Sequence, residues 1–164
     1  MICTIENENL EVRINSLGAE LWSIVDKNDG TEYLWQGDKE LWARRAPNLF
    51  PHCGRLKNNK YTYENKTYKS EIHGFVKELE HRVIEKSEAS IVFEISDSEK
   101  TLKMYPWRFN FRTGYKLEGS RIIHSYEVYN PNAKDMYFSI GYHTGFMCPF
   151  DSGRDIEEYI LKFE

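Results

Sequence analysis

At 164 residues and a formal charge of −4, the chain is sized for one domain, and its acidic balance excludes a binder that works by neutralising nucleic-acid phosphates. Apolar residues make up 40% of it and aromatics alone 15%, too many core-formers for a disordered chain. Cys3, Cys53 and Cys148 are odd in number and lack CxxC spacing, so they indicate neither a disulfide framework nor a zinc ribbon.

No apolar run is long enough to span a bilayer, and the start MICTIENEN has neither the basic nor the apolar region of an export signal. A cytoplasmic protein with a small-molecule partner, no nucleic acid and no membrane is expected. In chain order, Leu10, Val12 and Ile14 alternate with polar residues at the period of a half-buried strand. Asp29-Gly30 marks a hairpin turn, where glycine supplies positive φ cheaply. Asp38 to Trp42 reads as one short helix with Asp38 as its N-cap. From Arg44 to Phe75 the pattern breaks: Pro47 and Pro51 cannot sit in a central ladder, so this is an ordered loop leading into a hairpin turned at Glu64-Asn65-Lys66. Arg82 to Ile95 reads as two strands folded about Ser87-Glu88-Ala89. Ile122, His124, Tyr126 and Val128 alternate after a turn at Glu118-Gly119, and a last strand is expected from Met136 to Ile140. Strands at this spacing with Gly, Asn and Pro between them predict a single all-β domain over residues 1–164, an antiparallel sandwich or barrel.

Chemistry has few candidate carriers. The five histidines, at 52, 73, 81, 124 and 143, do not reproduce a metal-ligand spacing, and HExxH, GxGxxG, GxSxG and the Walker sequence are absent. No metal and no cofactor are expected. His73, before Gly74 and between apolar residues, is either a core histidine bonded to backbone or a ring presented to a ligand. His143 stands just past an expected strand end, where a sandwich opens onto its loops. Arg55 follows Gly54 in the proline-bracketed loop, and its five fixed donors suit either carbonyl capping or gripping vicinal hydroxyls. His52 and His81 are expected to be exposed, and His124 to pack on a sheet face with Tyr126. Trp22, Trp35, Trp42 and Trp107 are expected mainly in the core, with Trp35 or Trp42 alternatively stacking on a sugar face.

The succession LGAEL (17–21), EYLWQGD (32–38), WARRAPNLFPHCGRL (42–56), IHGF (72–75) and FSIGYHTGF (138–146) resembles the aldose 1-epimerase, or galactose mutarotase-like, family, nearest its bacterial LacX-like branch. The resemblance runs over essentially the whole chain. It implies a large antiparallel β-sandwich that interconverts the α and β anomers of a free aldose without metal or cofactor. It also implies that Arg55 grips the substrate, that His73 binds sugar hydroxyls, and that His143 protonates the ring oxygen as general acid. An imidazole suits a reversible proton transfer near neutrality. Thr144 stands where the family often has proline.

The family's general base, a glutamate near its C-terminus, and the aspartate before it match nothing up to Glu164. Asp151, Asp155, Glu157, Glu158 and Glu164 lie in this tail, and none fits the base motif. The chain therefore resembles the first part of a family member. An incomplete sandwich, weak activity alone, and a homodimer or a complementing C-terminal segment as partner are expected. Two alternatives remain open. One is a hexose-6-phosphate 1-epimerase, with Arg44, Arg45 and Lys57 as phosphate cations. The other is a non-catalytic carbohydrate-binding module that keeps the pocket without the base.

Overall fold

Alternating segments become strands because every second side chain can then reach one buried face. The computed structural model describes residues 1–151 and 153–162. The first three strands, β1 (Ile2–Glu6), β2 (Leu10–Asn15) and β3 (Glu20–Asp26), form an antiparallel sheet in chain order. Two-residue β4 (Asn48–Leu49) follows, then the hairpin of β5 (Lys60–Tyr63) and β6 (Lys66–Lys69), turned at the expected place by Glu64 and Asn65, both at positive φ. Next, β7 (Arg82–Lys86), β8 (Ser90–Ser96), β9 (Asn110–Glu118) and β10 (Arg121–Tyr129) make a second antiparallel sheet in the order β10-β9-β8-β7. Last comes β11 (Gly141–Tyr142), which pairs antiparallel with β4.

The two larger sheets pack face to face. Ile5, Val12, Ile14 and Leu21 from the first meet Ile91, Phe93, Tyr115 and Leu117 from the second in one buried cluster. A second cluster is almost wholly aromatic: Phe50, Phe75, Tyr105, Trp107, Phe109 and Phe111. Phe50 is its hub, with the Phe111 ring 5.0 Å and the Phe109 ring 5.3 Å away by centroid. Each such ring contributes roughly 1.5–3 kcal/mol on burial. This cluster anchors the proline-bracketed loop, because Phe50 belongs to that loop.

Two expected elements come out differently, and one that was not expected appears. Asp38 to Trp42 is a single turn and no helix: the Asp38 carboxylate accepts the Glu40 N–H (2.8 Å) and its carbonyl accepts the Trp42 N–H (2.7 Å). It stops there because the Trp42 carbonyl accepts from the Trp35 indole N–H at 2.7 Å. Met136 to Ile140 forms no ladder, since side chains take its neighbouring carbonyls: Trp107 Nε1 donates to Asp135 and the Tyr105 hydroxyl to Tyr137. β11 begins only beyond that segment, at Gly141. One helical turn, α1 (Glu99–Leu102), was not signalled by the alternation; Ser98 caps it.

β10 is paired on one side only among the described residues. Its inward row, Ile122, His124, Tyr126 and Val128, is half-buried, while Ile123 and Tyr129 lie exposed on the other face. No helix among the described residues is long and apolar enough to cross a membrane.

Candidate active site

The loop that carries Arg55 is fixed from beneath by a carboxylate. Glu20, at the start of β3 and 2% exposed, accepts the Arg45 N–H (2.8 Å) and the Ala46 N–H (2.9 Å), with the Arg44 guanidinium at 3.4 Å. Two residues on, buried Asn48 donates to the Gly18 and Ala19 carbonyls and accepts the Tyr126 hydroxyl at 2.7 Å. These bonds set the β4–β11 register. The same loop then receives the histidine segment: His143 N–H donates to the Pro47 carbonyl (3.2 Å) and Gly145 N–H to the Arg45 carbonyl (2.8 Å).

His73 arrives by a different route. Gly74 bridges to Phe50 in parallel fashion, and a Cβ on it would overlap the Phe50 carbonyl. Only glycine permits that approach. His73 itself sits at φ 65°, a left-handed conformation that non-glycine residues rarely adopt and that concentrates at functional positions. Its backbone N–H donates to the Gly54 carbonyl, and its Nδ1 lies 2.8 Å from the Cys53 carbonyl. A carbonyl only accepts, so Nδ1 carries the proton and Nε2 of the neutral ring is left as an acceptor.

The His73 and His143 rings meet with centroids 5.8 Å apart. His143 is exposed and His73 half-buried, so the pair lines an open face that a hydrophilic ligand can reach. Arg55 belongs to the same loop but its exposed guanidinium turns to Asn59 Oδ1 at 3.2 Å, and among the described residues it bonds neither histidine. The structure thus brings the two imidazoles together and leaves Arg55 beside them through the backbone of residues 53–54. Among the described residues no carboxylate bonds either ring. Asp151 accepts the Gly153 N–H, and Asp155 and Glu158 cap their own 3-10 turn; Glu164 lies outside the described residues.

Other candidates are taken up elsewhere. Arg44 also pairs with Glu78, while Arg45 lies 4.2 Å over the Trp22 ring and donates to Gln36 and the Trp22 carbonyl. Neither guanidinium is left over for a phosphate. His81, expected outside, is 3% exposed; burial pushes its pKa down to about 4, and its Nε2 has no partner among the described residues. It is buried because it closes the junction where its own N–H meets the Ser16 carbonyl. His52, also expected outside, is half-buried against Tyr61, and burial lowers its pKa. His124 packs with Tyr126 as expected, stacks on Tyr115 at 4.5 Å, and is held near pKa 4 by burial. Of the four tryptophans only Trp107 is buried; Trp22, Trp35 and Trp42 are half-buried.

Neither of two hollows among the described residues is lined by His73 or His143. One of about 350 Å³ is lined by His52, Tyr61, Tyr63 and Trp107, and another of about 500 Å³ by Tyr33, Phe146 and Phe150. The convergence of imidazoles marks the site, and neither of these hollows does. Sequence reasoning missed Glu20 and Asn48 as its supports. The available signal was a carboxylate opening an otherwise apolar strand, which makes sense only if something at that end of the strand donates to it.

Comparison with known proteins identifies the family. Residues 1–164 match the aldose 1-epimerase family. The chain is 40% identical over 169 residues to the plasmid-encoded protein LacX of Lactococcus lactis subsp. lactis, and 38% to the chromosomal one; the match covers 99% of this chain and 56% of each relative. Among solved structures it resembles a galactose mutarotase related enzyme from Lactobacillus acidophilus, with TM-score 0.93 and 40% identity over 94% of this chain and 52% of that one. It likewise resembles a galactose mutarotase-like protein from Lactobacillus casei, with TM-score 0.87 and 36% identity over 89% of this chain and 50% of that one. The chain spans about half the length of these relatives. With its antiparallel sheets in the galactose mutarotase-like arrangement and a family match along its whole length, this chain belongs to the aldose 1-epimerase family.

Proposed function

We propose that this chain carries the substrate-binding and acid-donating part of an aldose 1-epimerase site, which opens a cyclic hexose and recloses it as the other anomer. The observation that carries this reading is the approach of the His73 and His143 rings to 5.8 Å from distant segments, at the loop that bears Arg55. In the proposed reaction His143 protonates the ring oxygen while a base takes the proton from the anomeric hydroxyl. The bond between C1 and the ring oxygen breaks, giving an open-chain aldehyde. Rotation about C1–C2 exposes the other carbonyl face, and the steps run backward to the second anomer. His73 accepts a sugar hydroxyl at Nε2, and Arg55 swings from Asn59 to donate to the hydroxyls beyond.

The base comes from outside the residues described. Support for this is the absence, among those residues, of any carboxylate bonded to either imidazole, together with the half-length match to relatives. The free edge of β10 and its half-covered inward row are the natural seat for a complementing C-terminal segment, because an unpaired edge templates another strand. Arg44 and Arg45 are engaged elsewhere, and of the three phosphate cations only exposed Lys57 has no side-chain partner among the described residues, which favours free aldoses over phosphorylated ones.

Polarimetry of freshly dissolved aldoses tests the reading. This chain alone should exchange anomers little above the spontaneous rate, and adding the C-terminal half of a LacX-type relative as a separate chain should raise exchange by roughly 10²-fold or more, the value of one positioned proton transfer. Full activity without the added segment would place the base within this chain. Sugar binding with no exchange in either case would make it a binding module.

A further inference from the structure

Resting on the sugar-site reading above, we propose that Trp42 is the apolar wall of that site and that the site therefore selects a closed pyranose over an open-chain polyol. The Trp42 ring lies 5.0 Å from the His143 ring, inclined at 52°. Two flat groups at that angle make a corner in which a third flat object can be seated. His73 also meets His143, its ring centroid 5.8 Å away and inclined at 59°.

Trp42 is held in place more firmly than a half-exposed side chain requires. Its N–H is tied to the Asp38 carbonyl at 2.7 Å, and its own carbonyl accepts the Trp35 indole N–H at 2.7 Å. Gly145 lies directly against the ring: a Cβ there would come within 2.7 Å of Trp42 Cζ3 and 2.9 Å of Trp35 Cβ. Gly145 is two residues after His143, so one short segment presents the imidazole and fixes the indole beside it.

The other tryptophans are already used. The Arg45 guanidinium covers Trp22, Trp35 spends its N–H on Trp42, and Trp107 is buried with its N–H on the Asp135 carbonyl. Trp42, half-buried like Trp22 and Trp35, is the one tryptophan among the described residues whose ring meets a site histidine. A π face next to hydrogen-bonding rings suits a ligand with one C–H face and a hydroxylated rim, which describes a pyranose. An extended polyol has hydroxyls around its whole chain and no such face, so it gains less from an aromatic wall.

Saturation-transfer NMR titrations with D-glucose and its open-chain counterpart D-glucitol test this. The wild-type chain should bind D-glucose more tightly than D-glucitol. Trp42→Leu, which stays apolar but has no π face, should weaken D-glucose about tenfold and leave D-glucitol unchanged. Trp42→Phe should restore most of the D-glucose affinity, a rescue that a merely structural role would not produce; thermal midpoints check that both variants fold. Equal D-glucose affinity in wild type and Trp42→Leu, or equal wild-type affinity for the two ligands, overturns the wall while leaving the sugar site standing. Binding of neither ligand by the wild type, with Arg55→Ala indistinguishable from it, overturns both.

Discussion

Glu20 offers the sharpest test of how the fold holds the site. Its buried carboxylate takes two loop N–H groups at 2.8 and 2.9 Å, and Ala46, which carries one of them, is fully buried. Glu20→Ala leaves both donors without an acceptor where water enters poorly, at about 1–3 kcal/mol each. The Arg44 guanidinium adds little to the loss, because it is part-exposed and keeps Glu78. The expected destabilisation is about 3–5 kcal/mol, comparable to breaking a buried ion pair, and should lower the thermal midpoint by roughly 10 °C. Glu20→Gln retains one oxygen for both N–H groups and should lose about half as much. Urea unfolding measures it, provided the slope stays constant so that the midpoint reports stability. Amide resonances of His143 and Gly145 should move as well, since their acceptors are the Pro47 and Arg45 carbonyls on the same loop. A loss below about 1 kcal/mol, or unmoved amides, would refute the claim that this carboxylate supports the site.

Acid should destabilise the fold through two buried imidazoles. His81 and His124 are held near pKa 4 against 6.5 in an exposed imidazole, so the unfolded chain binds more protons between those values and stability falls as pH drops below about 6.5. Each is worth on the order of 3 kcal/mol by pH 4; a urea midpoint unchanged from pH 7 to pH 5 would contradict it. Gly74→Ala should cost at least about 2 kcal/mol, because its φ of 70° and the Phe50 carbonyl both oppose a Cβ, and a thermal midpoint equal to wild type would count against that packing. Phe50→Ala should cost about 3–5 kcal/mol by emptying the hub of the aromatic cluster, measured by urea unfolding.

Strands were legible where one face is buried and the other wet, because burial then enforces a period of two: β2 and β10 follow their alternation residue for residue. The Glu64-Asn65 turn was legible through Asn65, a residue type that tolerates the positive φ it adopts. What escaped was decided by long-range partners. Met136 to Ile140 has a strand's composition, yet Trp107 and Tyr105 claim the carbonyls around it. Asp38 opens a turn but no helix follows, because the Trp35 indole takes the Trp42 carbonyl. His81 looked polar and therefore outside, and only the packing of its segment against Ser16 shows otherwise. His73, His143 and Arg55 stood out by residue type; that the two imidazoles meet while the guanidinium turns to Asn59 is a property of the fold.

The central claim is that His143 donates the proton that opens the sugar ring. Two-dimensional exchange NMR on an aldose at anomeric equilibrium, with this chain completed by a C-terminal LacX-type segment, measures it directly. The account predicts cross-peaks between the two anomers above the enzyme-free rate, reduced about 10²–10⁴-fold in rate by His143→Ala. Exchange that survives His143→Ala undiminished would contradict it.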